Sequence, residues 1–143
     1  MAGQPSNADY TLLLELRTSL RRFLRWSDER AGEVGITPAQ HQLLLAIKGH
    51  SDSKGPTIGD VAAYLLLRHH SAVGLVDRAE QAGLVVRGQD PDNYRVVRLR
   101  LTEYGTAQLE ALAELHLDEL KQLAPTVKSL WGALETRTPP TRA

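Results

Sequence analysis

The stretch RHHSAVGLVDRAEQAGLVVR, Arg68–Arg87, decides the fold. In its first part Ala72, Leu75, Val76 and Ala79 recur at three- and four-residue steps, so they share one helical face. His70, Ser71, Gly74, Arg78 and Gln81 share the other, which predicts an amphipathic helix with a polar outward side. Gly83 is a natural stop, because glycine takes the left-handed turn that closes a helix without a Cβ clash. Past Gly83 the period changes from helix to strand. LVVRG and RVVRLRL are rich in branched residues, and Val97, Leu99 and Leu101 alternate with Arg98 and Arg100. QDPDNY between them is turn sequence, so the segment closes as a β-hairpin with a polar tip.

Upstream, TIGDVAAYLLL starts on Thr57 with Asp60 three residues later, a capping box, and predicts a short helix ending near Leu66. Before it, TPAQHQLLLAIKGH carries Thr37 as cap and Pro38 at the first helical position, where a missing N–H costs nothing. Gly49 ends that helix. The chain start reads as a disordered leader over 1–9, then a helix from Tyr10 with an apolar stripe of Leu13, Leu16, Leu20, Phe23 and Leu24. Downstream, Thr102 caps a long helix with a broad apolar stripe from Leu109 to Leu123. Pro125 is expected to break it, leaving a short helix through Leu134 and a disordered tail at 136–143.

Composition sets outer limits. The 143 residues suit one domain, and 42% hydrophobic content supports a core. No apolar run is long enough to span a bilayer, and no secretory leader is read, so the expected location is cytoplasmic. The absence of cysteine excludes disulfides and thiolate metal sites. Seventeen basic residues balance seventeen acidic ones, a mild argument against nucleic-acid binding, though six arginines fall between residues 64 and 104. There is no phosphate-cradling glycine loop, nucleophile elbow or paired-histidine zinc helix, so no enzyme, cofactor or metal is expected.

Two short helices and a two-stranded wing make a winged helix-turn-helix, here mainly α with a small antiparallel hairpin. The second helix of such a pair can enter a major groove, where base pairs present distinguishable hydrogen-bond patterns. The chain resembles the MarR (multiple antibiotic resistance regulator) family in LLAIKGH after TPAQ, TIGDVAAYL, SAVGLVDRAEQAGLV and RVVRLRLTEYG. LTEYG (Leu101–Gly105) matches the family's exit from the wing. The likeness runs over 10–135. It divides into terminal dimerisation helices at 10–34 and 106–135 and a winged-helix part at 37–104. It implies a homodimer on pseudo-palindromic duplex DNA, a repressor released by a small molecule such as an aromatic acid. Three positions depart from the pattern. Leu66 stands where the family commonly has Gly, and Arg68 where it often has a small polar residue. Asn93-Tyr94-Arg95 replaces the wing's Asp-x-Arg, so the acid that orients Arg95 is replaced or displaced.

The candidate DNA contacts are Arg68, His69, His70, Ser71, Gly74, Arg78 and Arg95. The two histidines are adjacent, hence about 100° apart around a helix, which suits DNA contact better than one shared metal. Ser71 is read either as the helix cap or as a DNA contact. Arg78 is read either as a phosphate contact or as part of an ion pair involving Asp77 and Arg87. Gly74 is read as letting the helix backbone approach DNA. Arg98 and Arg100 read as a solvated hairpin face, and Arg17, Arg21 and Arg25 as a solvated helix stripe. Trp26 and Trp131 suit core or dimer packing, and a ligand pocket near Trp26 and His41 is a weaker alternative. A winged-helix protein–protein adaptor, or a ligand-binding module without strong DNA binding, remains the alternative to a DNA-binding regulator.

Overall fold

A computed structural model describes residues 4–137. Five helices and one hairpin follow in the order α1 (Asn7–Glu33), α2 (Pro38–Gly49), α3 (Ile58–Leu65), α4 (His69–Gln81), β1 (Val85–Gln89), β2 (Val97–Leu101) and α5 (Glu103–Glu135). The described residues divide into two compact units. One holds residues up to Ser27 with those from Leu115 on, and the other is Asp28–Glu114.

The second unit is the winged helix. Its core joins Leu43, Leu44 and Ile47 of α2, Val61 of α3, Leu75, Val76 and Ala79 of α4, and Leu84, Val85 and Leu99 of the hairpin. Ala31, Leu109 and Leu112 complete it, so the unit reaches beyond 37–104 into the ends of α1 and α5. Caps fix the helix starts. Thr37 and Gln40 bond reciprocally at 3.1 and 3.0 Å, and Thr57 and Asp60 at 3.1 and 3.0 Å, each pair satisfying two otherwise orphaned N–H groups. The backbone N–H of Thr57 holds the Asp60 carboxyl below its ordinary range. Gly83, at φ +76°, closes α4 while Leu84 N–H donates to Ala79 O at 3.0 Å.

The hairpin is antiparallel, with Val85 opposite Leu101 and Gln89 opposite Val97. Its free edge is partly used: Leu99 N–H donates to Pro56 O at 2.9 Å, tying β2 to the α2–α3 loop. Two glycines allow backbones to touch. At Gly55, φ is +89° and a Cβ would lie 2.2 Å from Leu99 O. At Gly105 a Cβ would lie 2.1 Å from Leu84 O.

The turn between α3 and α4 carries an unusual residue. Leu66 adopts φ 54°, ψ 44°, the left-handed region, and is 91% exposed. There it closes α3 without burying its side chain. A left-handed non-glycine residue costs roughly 1–2 kcal/mol, and glycine's extra unfolded-state freedom offsets about half of that. Leu66→Gly is therefore expected to stabilise the protein by about 0.5–1 kcal/mol. A thermal melt checks it, and a lowered midpoint contradicts it.

The first unit pairs the start of α1 with the later part of α5. The helix starts at Asn7, three residues before Tyr10, so residues 7–9 are helix and not leader. Ser6 and Asp9 form a capping box, with Ser6 N–H donating to Asp9 Oδ2 at 2.9 Å and Asp9 N–H to Ser6 Oγ at 3.2 Å. Arg137 donates to Asp9 Oδ1 at 3.0 Å, and this contact is the main cause that lowers the Asp9 pKa. The remainder of the expected leader and tail, residues 1–3 and 138–143, lies outside the described residues.

The expected break at Pro125 is corrected as well: α5 runs through it as one helix. Proline removes one N–H and crowds one carbonyl, a local penalty of about 3 kcal/mol. Leucine- and alanine-rich flanks on both sides let the helix continue. Within this unit Trp26 meets the His116 ring edge-on at 4.8 Å and Phe23 at 6.1 Å, and Ser27 Oγ lies 2.6 Å from His116 Nε2. Much apolar surface stays uncovered: Leu13, Leu14, Leu20 and Leu24 on α1, and Leu117, Val127, Trp131 and Leu134 on α5, are all exposed.

Candidate nucleic-acid interface

Helix α4 presents its first turn to solvent. Arg68 is the N-cap residue in extended conformation, and its side chain makes no cap. Ser71 therefore sits three residues into the helix and does not cap it, which corrects the capping alternative. With no side-chain cap, the α4 start keeps free N–H groups and the positive end of its dipole, a setting that favours phosphate. Arg68, His69 and His70 are exposed, while Ser71 and Gly74 are partly covered. Ala72, Leu75, Val76 and Ala79 are buried, and that anchors the helix with its polar row outward.

The acids beside α4 are already engaged. Arg87 Nη2 donates to Asp77 Oδ1 at 2.6 Å and its Nη1 to Glu80 Oε1 at 2.9 Å, clamping β1 to the helix. The ion pair expected in this region forms between Asp77 and Arg87 and does not include Arg78. Arg78 has no acidic partner among the described residues. Its guanidinium lies back over Gly74, with Nη1 3.1 Å from the point a Cβ there would occupy. Gly74 is thus not open to solvent as the sequence suggests, but roofed by the side chain one turn on.

The wing is braced by a network that the sequence analysis missed. Asp90 is only 5% exposed. Its Oδ1 accepts the N–H groups of Asp92 at 2.8 Å and Asn93 at 3.1 Å, and its Oδ2 accepts Arg98 Nε at 2.9 Å. The Asp92 N–H, then the Arg98 guanidinium, hold the Asp90 carboxyl below its ordinary range. Arg98 also donates to Gly55 O at 3.2 Å, so it is a strut and not a solvated face residue. Lys54 reaches Asp92 at 2.5 Å. The signal was present in DPDN, where an Asp two and three residues before free N–H groups makes a turn of its own.

Arg95 stands exposed in the β1–β2 connection. Its backbone N–H donates to Asn93 Oδ1 at 3.2 Å. Asn93 therefore supports the backbone at Arg95, while Asp90 takes over the acidic role in shaping the tip. Among the described residues no acid pairs with Arg68, Arg78, Arg95 or Arg100, whereas Asp77, Glu80, Asp90 and Asp92 each have a cationic partner. The neutral total charge thus conceals a local excess of unpaired arginine along α4 and the wing.

Trp26 and His41 belong to different compact units. Trp26 packs in the aromatic group with Phe23 and His116, and His41 is buried on α2. Among the described residues no three His, Cys, Asp or Glu side chains converge as a metal site would need, and no helix is long and apolar enough to cross a membrane.

The α3–α4 helix pair and the braced hairpin define a winged helix-turn-helix protein. Residues 34–95 match the model of the MarR family. Solved structures share the fold. CouR, a transcriptional repressor bound to a 23-mer DNA duplex, is 28% identical over 85% of this chain and 87% of its own, with a TM-score of 0.65. Escherichia coli MarR in its apo form is 24% identical over 87% and 94%, with a TM-score of 0.66. MepR, a transcription regulator of the Staphylococcus aureus multidrug efflux pump MepA, is 20% identical over 83% and 95%, with a TM-score of 0.68. Among curated proteins none matches the chain in sequence. Over that segment, and in its fold, the chain is similar to the MarR family.

Proposed function

We propose that the protein is a sequence-specific double-stranded DNA-binding regulator that works as a homodimer. The observation that carries this reading is that Arg68, Arg78 and Arg95, on α4 and the wing, have no acidic partner among the described residues, while Asp77, Glu80, Asp90 and Asp92 are each paired and the start of α4 has no side-chain cap. Such a surface attracts phosphate, and the outward row of α4 is free to meet base edges. CouR, 28% identical, is seen on duplex DNA. The exposed leucines of α1 and α5 support self-association, because a surface so apolar is costly in water. Two reading helices then address half-sites roughly 34–36 Å apart, one turn of B-DNA. Repression, with release by a small aromatic acid, is the regulatory mode that the resemblance to the MarR family supports.

Capture of genomic fragments by the purified protein tests the reading. An enriched inverted repeat is expected, with a dimer in sedimentation. A well-formed dimer that enriches no sequence would instead point to an adaptor. On an enriched site, Arg95→Ala is expected to weaken binding by on the order of 1 kcal/mol, alike across sequences, as for a backbone or minor-groove contact. His70→Ala is expected to change the sequence preference. An unaltered profile demotes His70 to a bystander.

A further inference from the structure

Gly74 and Arg78 act as one unit. We infer that Arg78 reads a guanine in the major groove from the surface that Gly74 leaves bare, an inference that rests on the DNA-binding reading above. Arg78 lies nine residues beyond the first residue of α4, too deep along the helix for the groove-entering first turn. Long helical side chains, however, lean toward the helix N-terminus. Arg78 does so, and its Nη1, Cζ and Nη2 lie 3.1, 3.9 and 4.0 Å from where a Gly74 Cβ would be. The planar fork thus sits one turn nearer the reading end, in the row that begins at His70. No other residue type at 74 leaves that place vacant.

The fork is also unspent. The two acids next to it, Asp77 and Glu80, are held by Arg87 at 2.6 and 2.9 Å. An arginine with no acidic partner among the described residues, its guanidinium drawn back along the outward row of a reading helix, matches the O6 and N7 acceptors of guanine with two parallel donors. Lysine carries the same charge without the fork. The fork also fits a phosphate, so the observable that separates the two is base preference, which a guanine contact imposes and a phosphate contact does not.

Selection of bound duplexes from a random pool, with wild type, Arg78→Lys and Gly74→Ala, tests this. Wild type is expected to require G·C at one position in each half-site. Arg78→Lys is expected to relax that position by on the order of 10-fold, leaving other positions and the salt slope unchanged. Gly74→Ala is expected to relax the same position, because the new methyl displaces Nη1. An Arg78→Lys motif identical to wild type overturns the inference, as does a Gly74→Ala variant that weakens all sequences alike. If wild type itself enriches no motif, the DNA-binding reading falls first. Melting curves confirm that each variant is folded.

Discussion

Gly105→Ala is expected to destabilise the protein by about 3 kcal/mol, the upper end of overpacking costs. The added Cβ would lie 2.1 Å from Leu84 O and 3.0 Å from Leu84 C, so the obstacle is backbone and no side chain can swing aside. That carbonyl is already committed, accepting Thr102 N–H at 3.1 Å. Thr102 Oγ1 accepts Gly105 N–H at 2.9 Å and donates to Gly83 O at 2.6 Å, so the end of α4, the exit of the wing and the start of α5 meet at one point. A displaced Gly105 disturbs all three. Chemical unfolding measures the loss, and a fall of about 10 °C in melting temperature accompanies it. Gly32→Ala, at an exposed helical position with nothing within 4 Å, is the control and is expected to be neutral or mildly stabilising. Equal behaviour of the two variants contradicts the packing account.

DNA affinity is expected to fall on the order of 100-fold between 50 and 200 mM salt. Arg68 and Arg95 are exposed and lack acidic partners among the described residues, and a homodimer presents both twice. Four neutralised phosphates give a slope of about −0.9 per contact in log–log form, and that slope over a fourfold salt change yields the stated loss. The prediction depends on which arginines are unpaired and not on how many there are. Arg87 and Arg98 are engaged with Asp77, Glu80 and Asp90 and add little. Arg87→Ala should therefore leave the slope nearly as it is, while Arg95→Ala in both copies should reduce it by about 2. Affinity that stays flat across this range contradicts a phosphate-driven interface.

The helix boundaries that sequence placed well are those marked by caps. Thr37-Pro38, Thr57-Asp60 and Gly83 act within a few residues, so their effect is readable locally. Ser6-Asn7-Ala8-Asp9 is the same device, overlooked because it lies in a polar leader. Pro125 misled for the opposite reason, since a strong local signal was outweighed by the helix on both sides of it. The seven proposed DNA contacts fall on α4 and the wing, but the roles of the arginines were only partly legible. Arg78, Arg87 and Arg98 are alike in sequence, yet one has no acidic partner among the described residues, one clamps α4 and one braces a buried carboxylate. Which partner each finds depends on side-chain direction and on contacts up to 43 residues apart, as between Arg98 and the Gly55 carbonyl. Leu66 shows the same limit: the departure from glycine was visible, and the left-handed backbone it must adopt was not.

The central claim is sequence readout of duplex DNA by α4 in a two-fold dimer. Selection from a random duplex pool tests it most directly. The account predicts an inverted repeat with half-site centres about 10–10.5 base pairs apart, and with base preference lost when His70 and Arg78 are replaced. Recovery of sequences no different from the starting pool, by a folded dimer at low salt, would contradict it.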